Sequence, residues 1–177
     1  MNNEVDEAKI MKIQSVKDLE KISREYSTSL YHPEYVKVNI GMASCGIAAG
    51  AEAAFNTATE AFADDKAVHI GQTGCIGYCE MEPLVEIFSG GTPRVIYKSI
   101  TPDKVLDAIS DYQNGIDQKK WVLGQMRDPR SLLEDEIDNP LANVAPFEAI
   151  PFLEDIPFYK NQVKIAAEKN EHIQRKS

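Results

Sequence analysis

The chain has 177 residues, 43% of them apolar and 27% charged, enough to bury the core of one ordinary domain with extensions on either side. Its net charge of −9 argues against nucleic acid or an anionic membrane surface as a partner, because phosphate binding needs clustered Lys and Arg. No stretch approaches the roughly 20 apolar residues of a bilayer span, and residues 1–12 have no signal-peptide core, so a protein without membrane insertion, residing in the cytoplasm, is expected.

Residues 1–14 carry little structural signal. Ser15 reads as a helix cap, with Asp18 three residues on as an approximate capping box. Leu19, Ile22, Tyr26 and Leu30 recur at helical spacing, predicting a helix over Ser15–Leu30 that Pro33 stops. Tyr35–Ile40 alternates apolar and polar residues and reads as the first core strand. A glycine loop, Gly41-Met42-Ala43-Ser44-Cys45-Gly46, leads into a helix over Gly46–Ala63. Its apolar stripe is Ile47, Ala51, Ala54, Phe55, Ala58 and Phe62, with Gly46 and Gly50 allowing close approach in the first turn.

Ala67–Gly71 reads as a second strand, returning parallel to the first by a right-handed crossover. Pro83–Phe88 and Arg94–Lys98 read as two strands of a hairpin through Ser89-Gly90-Gly91-Thr92-Pro93. Thr101-Pro102-Asp103 opens a last helix with Val105, Leu106, Ile109 and Tyr112 as its stripe, and Asn114-Gly115 closes it. A βαβ unit followed by a ββα unit is a thioredoxin-like arrangement, an α/β fold with a mixed four-stranded sheet flanked by helices. Beyond it lies an extended C-terminal arm with five prolines and the acidic run Glu134–Asp138. Apolar pieces such as Trp121-Val122-Leu123 and Pro151-Phe152-Leu153 are too short for a second core, so the arm is ordered by what it lies against. Phe158–Gln174 reads as a final helix. The expected division is 1–34 as a helical extension, 35–115 as the core domain and 116–177 as a partner-binding arm.

Chemistry concentrates in Cys45, Cys75 and Cys79. Three thiols do not make a disulfide framework, and all three sit in two loops of one small βαβ unit. Thiolates suit iron and zinc. Cys45 stands before a helix N-terminus, where amides and dipole favour an anion. Gly74 and Gly77 free the backbone around Cys75 to direct N–H groups at sulfur. Taken alone, a Cys-x₃-Cys pair is more often incidental than functional. Zinc on Cys45, Cys75, Cys79 and His69 is an alternative set. A redox dithiol is another, although the spacing is not Cys-x-x-Cys. Elsewhere the plain readings prevail: His32 and His172 are solvated, the acidic run is a solvated face, Gly90-Gly91 is a hairpin rather than a phosphate loop, Trp121 is a packing anchor, and no Ser/His/Asp or Cys–His catalytic set stands out.

Gly41–Ala51, Gln72-Thr73-Gly74-Cys75-Ile76-Gly77-Tyr78-Cys79-Glu80-Met81-Glu82-Pro83-Leu84-Val85 and Ile100–Val105 together resemble the thioredoxin-like [2Fe–2S] ferredoxin domain. That domain occurs as a free ferredoxin, in the small NADH-dehydrogenase subunit and at the N-terminus of electron-bifurcating hydrogenase beta subunits. The resemblance covers Val36 to about Gly115. It implies one [2Fe–2S] cluster with Cys45, Cys75 and Cys79 as ligands. It also implies an electron-transfer role as a component of an NAD(P)H/flavin-linked oxidoreductase complex, beside flavin/NADH-binding and other iron–sulfur subunits. A second, shorter resemblance, Ile156–Ile165, is to the opening of the flavin-binding, NADH-oxidising subunit. It implies a stand-alone N-terminal portion, with the flavin part on another chain or lost. The family's first cysteine precedes the position of Cys45 by several residues, where this chain reads Asn39-Ile40-Gly41-Met42. A fourth ligand is therefore open among Ser44, His69, Glu80, water and a partner group. A structural subunit without a cluster and a zinc-stabilised interaction module remain the other two readings.

Overall fold

The central strand β1 (Val36–Gly41) buries Val38 and Ile40 completely. The fold is described here from a computed structural model, for residues 13–22, 33–116, 119–126 and 145–161. β2 (Val68–Thr73) runs parallel to β1, β3 (Val85–Phe88) lies antiparallel on its other side, and β4 (Arg94–Tyr97) is antiparallel to β3. This is the thioredoxin-like mixed sheet that the βαβ and ββα patterns predict. It carries one strand more: Val122–Met126 forms β5 against β4, so the sheet order is β2-β1-β3-β4-β5. The added strand comes from the stretch read as arm. Its apolar residues are short of a core by themselves but suffice to extend an edge that already exists.

Three helical segments follow β1 and β4. The run read as one helix from Gly46 is two, α1 (Ser44–Ala48) and α2 (Ala51–Ala61), divided at Gly50 with φ of +98°. Glycine alone enters that left-handed region without a steric cost, and the chain bends there. α3 (Pro102–Gln113) starts at Thr101, whose backbone is extended but whose hydroxyl makes no cap bond, and ends before Gly115.

Ala51, Ala54 and Ala58 of α2 and Val105, Ala108, Ile109 and Tyr112 of α3 pack with Val38, Ile40, Val85, Ile87, Val95 and Tyr97 into one core on one face of the sheet. Burying each Val or Ile side chain is worth about 1.5–3 kcal/mol. The alanines let α2 lie close to the strands. Ile47 and Leu106, expected on the inner stripes, are 47% and 38% exposed. For Ile47 the break at Gly50 rotates α1 out of phase with α2. On α3 the small Ala108 takes an inner place that Leu106 was expected to hold.

The other face is covered by a second, smaller cluster of Leu84, Ile96, Leu123 and Leu153, joined by Tyr78, Met81, Met126, Ile156 and Tyr159. Leu153–Asp155 is a 3₁₀ turn and α4 (Pro157–Lys160) a single turn of helix. As expected of segments ordered by what they lie against, these pieces form no core of their own. They share one with the back of the sheet. Gln125, buried in β5, fastens them. Its side-chain amide donates to the carbonyls of Phe147 (3.0 Å) and Ile150 (2.7 Å) and its carbonyl accepts from the Phe147 N–H (3.0 Å). Trp121 packs against the main core, as a packing anchor should.

Residues 16–22 are helical, and the Ser15–Asp18 capping box is formed. Asp18 accepts the Ser15 N–H at 2.8 Å and Ser15 Oγ accepts the Asp18 N–H at 3.3 Å. The rest of the helix expected to Leu30, His32, the acidic run Glu134–Asp138, His172 and the helix expected beyond Asn161 lie outside the described residues. Among the described residues no helix is long and apolar enough to cross a membrane.

Candidate metal centre

Parallel pairing makes the site. β1 and β2 are adjacent and in register through Gly41↔Thr73, so both chains leave the sheet at the same end. The Met42 N–H still bonds the Thr73 carbonyl at 2.9 Å as they leave. Four residues past Gly41 comes Cys45, and two past Thr73 comes Cys75. A 3₁₀ turn, Cys79–Met81, then brings the second loop back toward β3. The Sγ atoms of Cys45, Cys75 and Cys79 lie within 4.8 Å of one another, Cys75 and Cys79 exposed and Cys45 half-buried. The sequence separates these residues by up to 34 positions, and the fold brings them together.

The backbone holds the cluster tightly on the Cys45 side. A Cβ at Gly46 would stand 2.1 Å from the Gly41 carbonyl oxygen, so only glycine lets α1 sit on the end of β1. Gly77 has φ of +91°, and its N–H donates to Cys75 Sγ at 3.2 Å. The amide–sulfur contact expected around Cys75 is therefore present at Gly77, whereas Gly74 borders open space.

The thiols differ in acidity. The Gly77 N–H, and then the S–H of Cys45, hold the Cys75 thiol below its ordinary value. Cys45, hydrogen-bonded to Cys79 and Cys75 and facing their charge, is pushed up to about 12. Cys45 was expected to be the thiolate, on the strength of a helix N-terminus. α1 has five residues, too few for a dipole that outweighs the two neighbouring thiols.

The proposed fourth ligands fare differently. His69 lies at the far end of β2, paired with Lys37, roughly 13 Å along the strand from Thr73. It is exposed and stacks on Tyr35 with ring centroids 3.7 Å apart. A Cys₃His set with His69 is therefore overturned: four residues of extended chain separate it from the loop. Glu80 is exposed and outside the group of converging thiols. Ser44 is exposed at the first position of α1.

Sequence reasoning missed Glu82. It is buried at 8% exposure, with Oε1 3.7 Å from Cys45 Sγ and Oε2 accepting the Leu84 N–H at 2.8 Å. Gly41 and Gly46 make room for it, since a Cβ at either would lie 3.2–3.3 Å from Oε2. The available signal was its place before Pro83, which forces an extended backbone, here φ −64° and ψ 152°, and so ends the 3₁₀ turn. Also unread was the contact between the second cysteine loop and the C-terminal segment. Tyr78 stacks on Phe158 with centroids 3.8 Å apart and meets Tyr159 edge-on at 5.8 Å. Burial there, with the nearby Cys75 and Tyr78, pushes the Tyr159 hydroxyl up to about 12.

No protein-family model matches the chain. It is 29% identical over 77 residues to the NADP-reducing hydrogenase subunit HndB of Solidesulfovibrio fructosivorans, over 42% of this chain and 61% of that subunit. The chain thus matches about three fifths of that relative's length. Among solved structures it is similar to a thioredoxin-like [2Fe–2S] ferredoxin from Aquifex aeolicus, with TM-score 0.45, 20% identity, and coverage of 52% of this chain and 93% of that one. It is also similar to an NAD+-reducing [NiFe]-hydrogenase in the H2-reduced state, with TM-score 0.42, 19% identity, and coverage of 63% and 23%.

Proposed function

We propose that this chain is an electron-transfer subunit of a multi-subunit NAD(P)H- or flavin-linked oxidoreductase, holding one [2Fe–2S] cluster through Cys45, Cys75 and Cys79. The observation that carries this reading is the convergence of three thiols, from two loops, at one open end of a thioredoxin-like sheet. The relatives' own descriptions, a hydrogenase subunit and a [2Fe–2S] ferredoxin, agree with it. Its partners would be a flavin- or nucleotide-binding subunit and further iron–sulfur subunits, with 116–177, apart from the Val122–Met126 strand that joins the sheet, as the partner-binding arm.

The donor set suits the group. Two thiolates on one tetrahedral metal with bonds of about 2.3 Å stand about 3.8 Å apart, and Cys75 and Cys79 stand 3.7 Å apart. A bound cluster supplies one-electron acceptance and donation without breaking substrate bonds. The chain's residues do the rest. Cys75 and Cys79, exposed, place their sulfurs where a partner's redox centre can approach. The Gly77 N–H stabilises negative charge on Cys75, which favours the reduced state. Cys45, whose thiol its neighbours push up in the metal-free protein, would pass its proton to water if it held the metal. Exposed Ile47 and Ile76, within two residues of the cysteines, offer apolar contact for docking.

A second reading has one observation in its favour. A thiolate on the second iron of a two-iron rhomb stands about 5–6 Å from those on the first, wider than the 4.8 Å here, so one zinc ion fits the metal-free spacing more closely. Anaerobic purification with iron and acid-labile sulfide assay, followed by EPR of the reduced protein, decides between them. Iron and sulfide in equal amounts with a rhombic reduced signal supports the cluster. Zinc without sulfide supports the mononuclear site, and neither metal with the fold intact supports a structural subunit.

A further inference from the structure

We infer that Glu82 supplies the fourth donor to the metal centre, a carboxylate oxygen standing where a fourth thiolate is missing. The inference rests on the cluster reading above and deepens it.

The four groups divide into two pairs of matching width. Cys75 and Cys79 present their sulfurs 3.7 Å apart. Cys45 Sγ and Glu82 Oε1 are also 3.7 Å apart, and it is through Cys45 that the carboxylate adjoins the group of three converging thiols, to which it does not itself belong. For a tetrahedral metal with bonds of about 2.3 Å to sulfur and about 2.0–2.2 Å to oxygen, a sulfur–oxygen pair spans about 3.6 Å. Each pair therefore has the bite of one metal ion, with Cys45 following β1 itself and the other three groups supplied by the single connection between the two neighbours of β1. Cys75 and Cys79 belong to the loop after β2, its parallel neighbour, and Glu82 to the approach to β3, its antiparallel neighbour.

Glu82 is also buried in a way that asks for a cation. A carboxylate removed from water is costly unless it is paired and hydrogen-bonded. Its hydrogen bonds are one backbone N–H and the weak S–H of Cys45, and among the described residues no Lys or Arg pairs with it. The space it occupies is kept clear by two glycines, Gly41 and Gly46, on the strand end and helix that carry Cys45. The bond to Leu84 uses Oε2 and leaves Oε1 directed to the thiol. Cys45 Sγ and Glu82 Oε1 would together hold one metal ion, the thiol proton passing to water.

The test is Mössbauer and iron K-edge absorption spectroscopy of the anaerobically reconstituted full chain, with Glu82→Cys and Glu82→Gln beside it. The expected wild-type result is two inequivalent ferric sites and a first shell needing one oxygen per two irons. In Glu82→Cys the oxygen disappears, the sites become alike, and the reduced EPR g-values move to those of an all-thiolate cluster. In Glu82→Gln they shift differently while iron and sulfide content falls. An all-sulfur first shell in wild type overturns the inference, as does an oxygen that persists unchanged in Glu82→Cys, and the wild-type spectrum decides even if a variant does not fold. Absence of iron and sulfide from wild type is a different failure, that of the cluster reading itself.

Discussion

Gly46→Ala tests whether the seating of α1 on β1 sets the metal site. The new Cβ would stand 2.1 Å from the Gly41 carbonyl oxygen, about 1.3 Å inside ordinary van der Waals contact, and 3.3 Å from Glu82 Oε2. Neither backbone can yield locally, because β1 is hydrogen-bonded on both sides and Gly41 donates its N–H to Leu84 at 2.9 Å. The one-turn helix α1 must move instead, and Cys45 moves with it. Overpacking of this kind costs about 1–3 kcal/mol, and alanine returns about 1 kcal/mol of helix propensity, so the net loss is roughly 1–2 kcal/mol. Gly50→Ala is the matched control. It meets no atom within 4 Å but must adopt a φ of +98°, a strain of about 1–2 kcal/mol. Urea denaturation of the metal-free proteins should show similar losses for both. Iron and sulfide content after reconstitution should fall only in Gly46→Ala, since only that variant displaces Cys45 by about an ångström. Wild-type loading and an unmoved urea midpoint in Gly46→Ala would refute the argument that contact between α1 and β1 positions the thiol.

The thiols of the metal-free protein should alkylate in order of acidity. Cys75, held below its ordinary value, has the larger thiolate fraction at about pH 8, whereas Cys45, pushed up to about 12, stays protonated through the range. Iodoacetamide labelling read by peptide mass spectrometry should mark Cys75 first and Cys45 last, and equal rates would contradict the assigned hydrogen bonds. Gln125→Leu deprives the Phe147 N–H and two carbonyls of a partner, each worth about 1–3 kcal/mol if left dry. Because 145–161 can lift into water instead, the expected outcome is rapid limited proteolysis within that segment with the β1–β4 sheet intact, and unchanged proteolysis would count against the tether. Tyr78→Ala removes the stack on Phe158, a contact worth about 1 kcal/mol beyond its buried area. Hydrogen exchange of the backbone amides in 152–160 should quicken severalfold, and an unaltered rate would mean that other contacts hold the segment.

The main elements were readable because their signals are local. Alternation marked β1 and the hairpin, helical period marked α2 and α3, and Asn114-Gly115 marked the end of α3. What was not readable depends on contacts between distant residues. Nothing in Gly46–Ala63 distinguishes one helix from two until Gly50 takes a positive φ. Val122–Met126 becomes a strand only because β4 offers a free edge, and the buried Gln125 looks like any surface glutamine until the chain returns to it. At the site, the cysteines announced themselves by type and spacing. Glu82 did not, because Glu80 lies nearer to Cys79 in sequence. Its distinction is burial, which comes from Pro83 behind it and from two glycines about 40 residues upstream.

The placement of Glu82 follows from strand register, and so does its vulnerability. β3 pairs with β1 through Ile40↔Val85, and Leu84 accepts the Gly41 N–H, which sets Glu82 beside the end of β1 where Cys45 begins its helix. A slip of one residue between β1 and β3 would shift the carboxylate by roughly 3.3 Å, beyond reach of any metal held by Cys45, and would turn Val85 and Ile87 out of the core. The apolar pattern of β3 thus enforces the position of a polar donor three residues outside the strand. The same logic applies on the other side, where Val38↔Ile70 and Gly41↔Thr73 keep the second cysteine loop level with the first. A metal site assembled from both neighbours of one central strand inherits its precision from the sheet, so the loops themselves can remain exposed and glycine-rich, open to a docking partner.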